Sequence, residues 1–147
     1  MKMNIKQLMS ELERLRRESQ NALEESGYKW YSNLEEVEHD SSDPEQNFLM
    51  SEACTVMPLL KAANERLEYL TLSVTKVGTL HYEEDQLYLD SVHLSCGDMI
   101  EIMDEDEDGN KLWRVTHIEA DSKGKYYLFG FSNEELEGQT CRIRWSY

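Results

Sequence analysis

The sequence predicts an α+β protein, with an N-terminal helical hairpin over residues 1–73 and a small antiparallel β-sheet or barrel over residues 74–147. Three observations carry that expectation. Up to Ser73 the apolar residues recur at helical spacing, and beyond it they alternate in short segments. The later segments are rich in β-branched and aromatic residues, and Asp108-Gly109 and Ser122-Lys123-Gly124 between them are hairpin turn signals.

The first helix is expected from about Asn4 to Ser26, on the spacing of Ile5, Leu8, Met9, Leu12, Leu15, Ala22 and Leu23. Gly27 ends it, because glycine tolerates the left-handed backbone that follows a helix. Residues 28–43 show no clean period and read as a connection whose aromatics dock on the helices. Asp43-Pro44-Glu45 then starts a second helix: the aspartate caps free amides, proline suits the first helical position and glutamate favours the positive end of the dipole. Helical spacing continues to about Thr71, with a kink or break expected at Pro58. Six strands are expected, over residues 77–82, 86–90, 99–103, 112–118, 125–131 and 140–145. Trp113, Tyr127, Leu112 or Val115, Ile100 and Ile143 are expected as the β core, with Gly97-Asp98 as a tight turn.

The 147 residues hold 15 basic and 30 acidic side chains, for a formal net charge of -15 and a pI near 4.6. Each Lys or Arg that neutralises a phosphate strengthens a grip on nucleic acid, so this balance disfavours a broad DNA- or RNA-binding face and favours a basic partner. No stretch reaches the roughly 18 apolar residues of a membrane span. The charged start MKMNIKQLMSELERL does not resemble a signal peptide. With Cys54, Cys96 and Cys141 lacking any CxxC pair, a reducing cytoplasm is expected, without disulfide, metal or cofactor. Two amphipathic helices in a thin domain also predict self-association, with a homodimer the expected state.

Acidic residues cluster twice without a compensating base: six between Tyr31 and Gln46, and seven between Asp98 and Asp108. Such runs are commonly solubilising. A nucleic-acid mimic would use them differently, steering itself into a positively charged groove. The binding residues expected on that basis are Glu35, Glu36, Glu38 and Asp40 in the first run and Asp104, Asp106 and Asp108 in the second. Tyr28, Trp30 and Tyr31 would supply aromatic anchors. Asp104 to Gly109 also matches the first half of a calcium-binding EF-hand loop, but its twelfth position is Val115 rather than glutamate, so a solvated hairpin tip is expected.

For catalysis, His117 and Glu119 lie two apart on an expected strand and so face one side, as proton transfer in a ribonuclease requires. The commoner role of such a pair is a surface contact. Arg142 and Arg144 place two cations beside Trp145, suited either to pairing with carboxylates or to a small RNA or DNA contact.

The C-terminal half carries Gly78-Thr79-Leu80, then Leu94-Ser95-Cys96-Gly97-Asp98-Met99-Ile100-Glu101-Ile102, then Trp113-Arg114-Val115-Thr116-His117-Ile118-Glu119. Tyr126-Tyr127, Leu136-Glu137-Gly138 and Arg142-Ile143-Arg144 complete the series. In this order the motifs resemble a small domain of unknown function found in proteins of Gram-positive mobile elements. The chain departs from that pattern at His117, where arginine is usual, and at Ala120, where histidine is usual. Some proteins of this look are anti-CRISPR inhibitors of the type II RNA-guided DNA nuclease. The resemblance therefore implies an inhibitor that binds that nuclease or its guide RNA complex, with two alternatives: a ribonuclease-like protein that shortens the guide, and a mobile-element adaptor with no CRISPR role.

Overall fold

The computed structural model describes residues 2–30 and 34–147, which form two α-helices, seven strands and one short 3-10 helix, Asn133–Glu135. The chain divides into two compact units, Met1–Thr71 and Leu72–Tyr147.

In the helical unit, α1 spans Ile5–Glu25 and α2 spans Pro44–Thr71. Asn4 caps α1: its side chain accepts from the Gln7 amide while the Gln7 side chain accepts from the Asn4 amide, each at 2.9 Å. Past the last turn, Gly27 adopts a φ of +65°, a left-handed backbone that favours glycine. The Asp43 carboxylate accepts from the Glu45 amide at 2.9 Å to open α2. Pro58 does not divide that helix, which runs unbroken as one element. Gln20, Leu23 and Glu24 of α1 share a groove with Lys61, Asn64, Glu65 and Glu68 of α2, and Arg16 senses Glu68. Numbers fall along α1 as they rise along α2, so the helices are antiparallel. Leu23, Leu34 and Tyr69 are the buried apolar side chains described in this unit, a thin core for two long helices.

The second unit is a curled antiparallel sheet, a half-barrel. Its strands are β1 (Lys76–Glu83), β2 (Gln86–Leu89), β3 (Val92–Leu94), β4 (Met99–Glu105), β5 (Lys111–Ala120), β6 (Tyr126–Leu128) and β7 (Thr140–Ile143). They lie in the order β3-β2-β1-β7-β4-β5-β6. The Tyr126 amide reaches back to the Asp85 carbonyl at 3.0 Å, so the two ends of the sheet approach each other. Inside the curl, Leu80, Leu87, Leu89, Leu94, Ile100 and Ile118 are fully buried, with Leu128, Leu136, Cys141 and Ile143 completing the core. Gly78 admits the Asp90 carboxylate, which accepts from the Thr79 amide and pairs with Lys76.

Two sequence expectations change here. Strand β3 was not expected, because it is three residues long and its turn from β2 uses Asp90 at a φ of 52° rather than glycine. Trp113, with Leu112 or Val115, was expected in the core, but Trp113 and Val115 are half-buried on the outer face of β5, while Thr116 and Ile118 point inward. Alternation forces one parity along a strand, and the core takes the parity of Ile118. Tyr127 and Leu112 are likewise only half-buried.

Candidate functional site

The outer face of the half-barrel is built on β4, β5 and β7, where alternation brings Glu101, Trp113, Val115, His117, Glu119, Arg142 and Arg144 to one side. Its centre is Glu101, which is 2% exposed although it faces away from the apolar core. Arg142 donates to Glu101 Oε1 from Nη2 at 2.7 Å and from Nε at 3.0 Å. Arg144 donates from Nε to Oε2 at 2.7 Å, and from Nη1 to the Leu72 carbonyl at 2.6 Å. The Arg142 guanidinium also lies 4.3 Å from the centre of the Trp113 ring. Both arginines singled out by sequence are therefore engaged by one carboxylate, Glu101.

Farther along β5, the His117 Nε2 is 2.8 Å from Glu119 Oε1, and the Tyr127 hydroxyl donates to Glu119 Oε2 at 2.6 Å. The His117 ring stacks on Phe129 at a centroid distance of 5.1 Å. The Tyr127 hydroxyl first, and His117 second, hold the Glu119 carboxyl below its ordinary value of 4.5. The Tyr127 phenol is raised in turn, chiefly by the same hydrogen bond. Such a trio can orient an imidazole and exchange a proton, but none of its members supplies the fixed positive charge that would hold a phosphate. Tyr127 was not foreseen as a partner; its place opposite Glu119 comes from the β5–β6 register.

The β4–β5 hairpin carries the second acidic run to its tip. Asp106 shapes the turn, its Oδ1 accepting from the amides of Asp108 and Asn110 at 2.9 Å each. Asp104 pairs with Arg114 Nε at 2.7 Å, and that guanidinium is the main cause of its lowered pKa. Asp98 folds back to accept from the Ser95 amide at 2.7 Å. Glu105, Glu107 and Asp108 are exposed and hold no ion pair among the described residues. No group of three His, Cys, Asp or Glu side chains among the described residues is arranged to hold a metal ion.

In the helical unit, Glu35, Glu38 and Asp40 are exposed, and Asp40 is tied to the Ser42 hydroxyl at 2.7 Å and to its amide at 2.9 Å. Tyr28 and Glu36 line the groove between α1 and α2. Trp30 is 80% exposed, and Tyr31 lies outside the described residues. No described helix is long and apolar enough to cross a membrane.

The ordered motifs that end in Arg142-Ile143-Arg144 coincide with the half-barrel and its Glu101 centre. Residues 75–144 match a domain of unknown function, DUF5348. The match covers β1 to β7 and ends at Arg144, so Glu101 and both of its arginines lie within the DUF5348 segment. No curated protein and no solved structure gives a match.

Proposed function

We propose that the protein acts by binding, as an inhibitor of a type II RNA-guided DNA nuclease in the cytoplasm. The observation that supports this reading is the β4–β5 hairpin, which displays Glu105, Glu107 and Asp108, without ion pairs among the described residues, on a tip braced by Asp106. A cluster of exposed carboxylates is attracted over a long range by a positive groove, and such nucleases hold their RNA–DNA heteroduplex in a positively charged channel. The choice of this nuclease rests on the resemblance to mobile-element proteins. Glu35, Glu36, Glu38 and Asp40, with Trp30 beside them in sequence, form a second acidic surface that engages the same target.

A second reading, guide-RNA shortening, draws on the 2.8 Å contact between His117 and Glu119. One experiment separates the two: the protein is mixed with the nuclease, its labelled guide and target DNA, and cleavage, complex formation and guide length are measured together. A stable complex with blocked cleavage and intact guide, weakened by added salt and by Glu105→Lys with Glu107→Lys, supports binding. Shortened guide that becomes full-length with His117→Ala supports the ribonuclease. Normal cleavage with no complex removes both and leaves a mobile-element adaptor.

A further inference from the structure

On α2, Phe48, Glu52, Leu59, Arg66 and Leu70 are all exposed. Their offsets from Leu59 are -11, -7, 0, +7 and +11 positions. At about 100° per residue, seven and eleven residues each return to within about 20° of the starting direction, so the five side chains form one straight stripe. The stripe is palindromic about Leu59: apolar Phe48 answers Leu70, and acidic Glu52 answers basic Arg66. Glu52 and Arg66 hold no ion pair among the described residues. Beside Leu59, the exposed Thr55, Ala62 and Ala63 are small, which lets two backbones approach closely.

We infer that α2 pairs with α2 of a second copy of this chain, antiparallel, with the two-fold axis at Leu59. A two-fold axis makes residue i meet residue j while j meets i. In this register Leu59 meets its own copy, Phe48 meets Leu70 of the second copy, and Glu52 meets Arg66 of the second copy on both sides of the axis. Charge complementarity thus arises from the chain itself, despite its net charge of -15. Leu59, at 68% exposure, lies at the centre of the contact. Exposed Ile5, Leu8 and Leu15 of α1 extend the apolar surface of the helical unit. The thin core of the helical unit supports the same conclusion, because two helices complete a bundle by packing on two more.

The test is light scattering of the full chain at micromolar concentration, with circular dichroism as a check that each variant is folded. The wild type is expected at twice 17.3 kDa. Leu59→Asp, which places two carboxylates on the axis, is expected to give monomer with helicity retained. Glu52→Arg alone and Arg66→Glu alone each create like-charge contacts on both sides of the axis and are expected to weaken the dimer by about tenfold. The double variant, Glu52→Arg with Arg66→Glu, restores opposite charges and is expected to recover wild-type dimerisation. A wild type that stays at 17.3 kDa overturns the inference, as does a dimer that Leu59→Asp leaves intact or a double swap that fails to recover.

Discussion

Arg142 Nη2 lies 2.7 Å from Glu101 Oε1, a contact between neighbouring strands whose residues are 41 positions apart in sequence. Arg144 closes the other side of the same carboxylate. A buried carboxylate costs desolvation energy unless its lone pairs are filled, and here two guanidinium groups fill them.

Removing Glu101 leaves two largely covered arginines facing each other. Glu101→Ala is expected to lower the stability of the β unit by about 3 kcal/mol, and Arg142→Ala by less because Arg144 still neutralises the carboxylate. Denaturant titrations followed by circular dichroism measure both. Equal losses would show that the arginines do not share Glu101.

Trp113 lies under Arg142 on the outer face and is not part of the core. Trp113→Ala is therefore expected to cost about 1–2 kcal/mol, the size of a lost cation–π contact and partial burial, instead of the 3–5 kcal/mol of an emptied aromatic core site. Thermal melts of the two proteins decide between these values.

The Glu119 carboxyl is depressed below 4.5, so its contribution to stability is present above that pH and is lost as pH falls through the lowered folded value. The Tyr127 phenol is raised above 10.0, so its contribution is present below pH 10.0 and is lost as pH rises through the raised folded value. Tyr127→Phe is expected to remove the alkaline loss and to reduce the acid loss, leaving Glu119 with His117. Denaturation midpoints measured across acid and alkaline pH check both limbs.

Burial pushes the Cys141 thiol up to about 12, whereas Cys96 is exposed. The thiolate is the reactive form, so at mildly alkaline pH Cys96 is expected to be alkylated rapidly and Cys141 only after unfolding. Mass spectrometry of peptides after timed alkylation gives the order, and fast modification of Cys141 in native protein would contradict the packed core.

Much of this architecture is legible without coordinates, because apolar periods of about 3.6 and 2 residues are local properties. Ile5 to Leu23 and Pro44 to Leu70 are spaced for helices, and Asp108-Gly109 occupies the β4–β5 turn as its residue types require. The same-face placement of His117 and Glu119 also follows from strand alternation alone. Other features depend on which distant strands become neighbours. Leu112 and Trp113 are both apolar, so their local sequence does not say which parity faces inward; packing around Ile118 selects the parity opposite to Trp113. Glu101 reads as one more carboxylate in an acidic run of seven. Only the pairing of β4 with β7 makes it the buried partner of Arg142 and Arg144, because charge pairing is a property of three-dimensional neighbours and not of sequence order.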